Sequence, residues 1–115
     1  MVVFDEKKFN FTDSLINKVE LDSNLCDYLI VIDYYQGKYE SKTLTVRLKN
    51  VKKFVFHKEY IEKDNFTPLT IAHIAKRTIK NDTQIVIESV LSYLPGHEDD
   101  KPLIDCICEN AFIEY

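Results

Sequence analysis

The strictest constraint on this chain is a two-residue alternation that begins near Cys26 and ends near His57. In Thr43-Leu44-Thr45-Val46-Arg47-Leu48-Lys49, apolar side chains take every second place. Only an extended strand sends successive side chains to opposite faces, so Leu44, Val46 and Leu48 point inward while the rest meet solvent. In the preceding stretch, Cys26, Tyr28, Ile30, Ile32 and Tyr34 share an apolar face, and Asp27, Leu29, Val31, Asp33 and Tyr35 share a mixed one. That pattern predicts a central strand, buried on one face and half covered on the other. Gln36-Gly37 joins the two as a hairpin, where Gly37 can take a positive φ. The alternation breaks at Asn50-Val51-Lys52 and resumes at Phe54 and Phe56. The break predicts a bulge or bend where the chain leaves one sheet and enters another. Ile30, Ile32, Val46, Leu48, Phe54 and Ile87 are the predicted core.

Other stretches carry the same period. Leu15–Leu21 alternates moderately, and Asp22-Ser23-Asn24 is a turn cluster. Gln84–Tyr93 reads as a strand, and Ile104, Cys106 and Cys108 share the face of another. Ala111–Tyr115 extends that last strand or ends the chain as an edge. Lys58–Phe66 is polar, with room for one helical turn, and Phe9–Ser14 is a loop. The segment 68–79 has two readings. As a helix, Thr67 caps, Pro68 takes the first helical position, and Ile71, Ile74, Ala75 and Ile79 form one face. As a strand, Thr70–Ile79 pairs with Gln84–Tyr93 across a short connection. The expected fold is mainly β: an antiparallel β-sandwich or open barrel of six to seven strands with at most one short helix, or α+β if 68–79 is helical.

At 115 residues the chain forms a single domain, 1–115, able to bury a core without staples. It shows neither a signal peptide at its start nor a run of about 20 apolar residues. The expectation is a cytoplasmic protein with no membrane partner, whose three cysteines are free thiols. The net charge of −4 is unevenly spread. Lys38–Lys58 holds seven basic residues against Glu40, and Asp82–Tyr115 holds eight acids against Lys101. Such segregation arises from solvated strand faces that neutralise each other on folding, or from an acidic surface aimed at a basic partner.

No stretch carries a catalytic signature, and no catalytic residue, cofactor site or metal site is assigned. Cys106-Ile107-Cys108 has one residue between thiols, whereas structural zinc sites commonly have two to four between paired cysteines and need further ligands. His97-Glu98-Asp99-Asp100 lacks the spacing of a calcium loop and reads as an exposed tip after Pro95-Gly96. His73 has no obvious acid partner. Cys26, Cys106 and Cys108 fall on apolar strand faces, unlike partly exposed reactive thiols. Two glycines make no phosphate loop, and the pI of about 5.3 argues against nucleic acid despite Phe54, Phe56 and Tyr60 in a basic stretch. The candidate partner-binding residues are the acids Glu98, Asp99, Asp100, Asp105 and Glu109.

Thr12–Leu21, Leu44–Phe54 and Ile104-Asp105-Cys106, with Pro68-Leu69-Thr70-Ile71-Ala72-His73-Ile74, resemble the small β-rich immunity and immunity-like proteins of bacterial polymorphic-toxin systems. Thr12 stands where that pattern has histidine, and Leu48 where an aromatic is common. The resemblance implies a strand rather than a helix at 70–79. It also implies a toxin-like protein partner with a basic surface and no chemistry of the chain's own. The expected function is thus a non-catalytic protein-binding module, specifically a toxin-neutralising one. The alternative is a small-ligand-binding β domain or minor enzyme, with Tyr28, Tyr34, Tyr35 and Tyr93 lining a pocket.

Overall fold

The computed structural model describes residues 2–35, 41–57, 69–93, 95–96 and 101–114. They form nine strands: β1 (Val2–Val3), β2 (Leu15–Leu21), β3 (Tyr28–Tyr35), β4 (Ser41–Lys49), β5 (Lys53–Phe56), β6 (Ile71–Ile79), β7 (Asp82–Ser89), β8 (Ile104–Cys108) and β9 (Asn110–Glu114). A 3-10 turn at Val90–Tyr93 follows β7. One antiparallel sheet has the order β1-β9-β4-β3-β2, and the second has the order β5-β8-β7-β6. The fold is mainly β, with two open sheets rather than a closed barrel.

The sheets are joined by one bent ribbon. β4 pairs with β9 in the first sheet and β5 with β8 in the second. The chain crosses between sheets at Asn50–Lys52 and again at Glu109. Hydrogen bonds continue through the bend: Glu109 N–H donates to the Lys49 carbonyl and Lys52 N–H to that of Ile107, both at 2.8 Å. Asn50, at φ 50°, makes the turn, a conformation that asparagine tolerates better than most residues. The expected break in the alternation is therefore the corner of the molecule. The sheets meet again where Leu15 bridges Thr70 and Ile71 N–H donates to the Ser14 carbonyl at 2.7 Å.

Between the sheets lie Ile30, Ile32, Leu44, Val46 and Leu48 from one side and Ile85, Ile87, Ile104, Cys106 and Cys108 from the other, all buried. Phe54 packs against this core but is only partly buried, because its ring stacks on Tyr28 at one end of the sandwich, 4.3 Å between centroids. Phe4, Phe11 and Tyr34 make a second, aromatic part of the core.

The structure corrects the sequence reading at several points. Of the two readings of 68–79, the strand is the one the mainly β fold contains: residues 71–79 form β6, and the helical alternative is excluded there. β6 carries a bulge at Ala72, which places Ile71 and Ile74 on the same inward face three residues apart. That spacing imitates a helical stripe, whereas Ile79, on the supposed helical face, is exposed. β2 has the same device at Asn17: Ile16 faces inward opposite Ile32, and beyond the bulge Val19 lies opposite Ile30. The strand count rises to nine because the long runs split at the corner and Val2–Val3 adds a short edge. β9 is not an edge or an extension within its sheet; it lies between β4 and β1 in the other one. The strand expected to reach Tyr93 ends at Ser89. Cys26 is not on a strand face but exposed in the turn before β3. The hairpin connection at Gln36-Gly37 and the segment Lys58–Phe66 lie outside the described residues.

Candidate functional site

The corner gathers charge around one arginine. Arg47 points outward from β4, opposite Leu29 and Phe112. Its Nε donates to Glu114 Oε1 at 2.6 Å, and its Nη1 to Asp22 Oδ2 at 3.1 Å and Asp27 Oδ2 at 3.0 Å. These hydrogen bonds, that to Glu114 foremost, hold the guanidinium firmly charged. Asp27 is buried, and its Oδ1 accepts the backbone N–H of Asn50 at 3.0 Å. Burial alone would raise its pKa, but the Asn50 N–H together with the Asn24 and Arg47 side chains outweighs this and holds Asp27 below the ordinary carboxylate value.

The same contacts fix the turn between β2 and β3. Asp22 N–H donates to the Asp27 carbonyl at 2.8 Å and Leu25 N–H to the Asp22 carbonyl at 2.9 Å. Asn24 Oδ1 accepts the N–H groups of Cys26 and Asp27. Val51 N–H donates to the Cys26 carbonyl at 2.8 Å, tying the turn to the corner. Held this way, the turn leaves Leu25 at φ 61° and 74% exposed, and Leu21, the last residue of β2, is 47% exposed.

The predicted candidates separate. Glu109 belongs to the corner, where its carboxylate accepts the Asn50 side-chain amide. Asp105 stands on the outer face of β8, between Val55 and Val86, and accepts Gln84 Nε2 at 2.9 Å. Glu98, Asp99 and Asp100 lie outside the described residues. Part of the basic middle does neutralise the acidic third, through Arg47–Glu114 and Lys52–Asp82. Asp22, Asp27, Leu21 and Leu25 were missed as site residues. The available signal was a turn cluster followed at once by a large apolar residue, and an arginine at an outward strand position.

The tyrosines expected to line a pocket do not converge. Tyr28 stacks on Phe54 and Tyr34 sits in the aromatic core, while Tyr35 and Tyr93 are exposed. Tyr93 donates its hydroxyl to Glu88. The Cys106 and Cys108 thiols are buried and hydrogen-bond one another, and that bond together with burial pushes the Cys106 thiol up. Among the described residues, no three His, Cys, Asp or Glu side chains gather as a metal site.

No family model matches the chain, and no curated protein sequence matches it. The fold is similar to the crystal structure of an uncharacterised protein from Neisseria gonorrhoeae, with a TM-score of 0.63 over 92% of this chain and 94% of that one at 14% identity, a likeness of architecture.

Proposed function

We propose that this protein is a non-catalytic protein-binding module that presents its acidic corner to a basic partner. The observation that carries the reading is the cluster of Asp22, Asp27 and Glu114 on Arg47, with Glu109 joined to it through Asn50. Three carboxylates on one guanidinium leave that cluster with an excess of negative charge, and Lys52 at the bend is itself paired with Asp82. Its hydrogen bonds hold it in one shape, which lowers the ordering cost of association. Complementary charge on a partner would speed encounter and fix register. The resemblance of Thr12–Leu21 and Leu44–Phe54 to immunity proteins agrees with this reading and makes a toxin its most specific partner, since such a protein acts by covering another protein's site.

The test is affinity capture from native lysate of the source cell at low and moderate salt. The bait is the wild-type chain or a Glu20→Gln/Glu109→Gln variant, both exposed positions. A basic protein retained by the wild type, and retained less by the variant at low salt, is the expected result. Recovery of no protein at either salt, or equal retention by both baits, overturns the reading.

A further inference from the structure

We infer that β2 is the contact of a two-fold homodimer, its outer edge pairing antiparallel with the same edge of a second copy of this chain, with Val19 on the axis. β2 stands last in the order β1-β9-β4-β3-β2. The start of its outer edge is taken, since Leu15 bridges Thr70 and the Ser14 carbonyl accepts Ile71 N–H. Beyond the bulge at Asn17, its pairing among the described residues is with β3 alone, and Asn17, Lys18, Glu20 and Leu21 are exposed. One hydrogen bond fixes where the backbone points. Asp22 N–H donates to the Asp27 carbonyl, which makes Leu21–Tyr28 a pair that exchanges no hydrogen bonds of its own. Leu21 therefore turns its N–H and C=O outward. By alternation Val19 does the same, while Lys18 and Glu20 turn theirs toward β3. An added antiparallel strand takes up such outward groups. The edge of β6, by contrast, is covered by the N-terminal segment. Asp13 N–H donates to the Ile71 carbonyl at 2.8 Å, the Thr12 hydroxyl to the Ala72 carbonyl at 3.1 Å, and Lys76 N–H to the Glu6 carboxylate at 3.1 Å.

Charge selects a second copy as the occupant and sets the register. Lys18 Nζ lies 3.6 Å from Glu20 Oε2, so both charges stand on one face of β2, on either side of Val19. With Val19 opposite Val19, Lys18 of each copy stands opposite Glu20 of the other, and directly opposed unlike charges stabilise a strand pair. Moving the axis to Glu20 or to Lys18 sets like charges opposite each other. An axis between two residues brings an outward residue against one already bonded to β3. The next charge along the chain, Asp22, is held by Arg47 and lies beyond the paired run. The paired run is short, well under the area of a stable standard interface, so the dimer is weak and forms at high concentration.

Sedimentation velocity from micromolar to millimolar concentration tests this on the wild-type chain, on Lys18→Glu, on Glu20→Lys and on the double reversal Lys18→Glu/Glu20→Lys. Urea melts check that each variant folds, as exposed positions should allow. The expected result is a concentration-dependent dimer in the wild type and in the double reversal. Each single reversal puts like charges across the axis and should weaken dimerisation about tenfold or more. Mixing the two single variants should restore it, because the acids of one then face the lysines of the other. Hydrogen exchange at the Val19 and Leu21 amides should slow as the dimer forms. A wild-type chain that stays monomeric throughout overturns the inference. So does a dimer whose strength neither single reversal changes, or a pair of single variants that associate no better mixed than alone.

Discussion

Asp27 shows how much one side chain can organise. It is 5% exposed, yet its two oxygens hold the Asn50 N–H and the Arg47 guanidinium. Asp27→Asn keeps an acceptor for Asn50 and loses the charge facing Arg47. It should cost about 1–2 kcal/mol, below a fully buried pair because Arg47 keeps Asp22 and Glu114. The pH dependence follows from the depressed pKa. A carboxyl depressed on folding stabilises the fold fully above its unfolded value, near 4, and loses that contribution as pH falls through the folded value. The difference between wild type and Asp27→Asn should therefore narrow between about pH 6 and pH 3, as urea denaturation would measure. A gap that stays constant would mean the charge is not what stabilises the corner. The thiols differ as sharply: Cys26 is exposed, while Cys106 and Cys108 are buried free thiols joined only by a hydrogen bond. A disulfide-exchange reagent should label Cys26 alone in the native protein and all three cysteines in denaturant. Peptide mapping would show it, and rapid native labelling of Cys106 or Cys108 would place β8 wrongly. The alternation had assigned all three to strand faces. It could not foresee that Asn24 draws the Cys26 and Asp27 N–H groups into a turn and ends the strand pattern before Tyr28.

At the scale of elements, the two bulges explain which parts of the sequence were legible. β4 and β7 are unbroken, and their alternation reads directly onto the structure, with β7 switching between half-buried and buried at every residue. In β2 and β6 an extra residue changes the phase, so a period-2 pattern becomes a mixture of 2 and 3. The segment 68–79 admits a helical reading beside the strand one, because a strand bulge and a helical turn both place apolar residues three apart. The two readings make opposite demands on Ile74 and Ile79. In the strand, Ile74 is buried and Ile79 is 38% exposed at the β6–β7 turn. Ile74→Ala should cost roughly 2–5 kcal/mol, and Ile79→Ala about 0.5 kcal/mol or less, by chemical denaturation. Comparable losses at both positions would favour the helical face. No local pattern could have separated Asp105 from Glu109 either. They are four residues apart, but a sheet crossing at Glu109 puts one on a strand face and the other at the corner.

For the molecule as a whole, the decisive feature is that one ribbon serves both sheets. β4 runs into β5 and β8 into β9, so the bend at Asn50 and Glu109 sets how the sheets face each other and how the core between them closes. The break after Lys49 was visible in the sequence, since Phe54 and Phe56 resume the alternation on the other side. The matching break at Glu109 was not, because Cys108 and Asn110 continue in strand-like residues and nothing local says that the partner strand has changed sheets. Asn50 meets three demands at once: a φ of 50°, an N–H given to Asp27 and a side-chain amide given to Glu109. Substitutions can take these apart. Asn50→Gly keeps the backbone freedom and the N–H and loses only the amide, an exposed contact, for about 0.5–1 kcal/mol. Asn50→Ala adds the cost of a left-handed backbone with a Cβ, about 1–2 kcal/mol more. Asn50→Val adds a β-branch that this region tolerates worst. Stability measured by urea denaturation should fall in the order Gly, Ala, Val, and the loss at Val should come with weaker hydrogen-exchange protection in both β5 and β9. Equal losses for glycine and valine would mean that the amide contact to Glu109, and not the backbone bend, holds the two sheets in register.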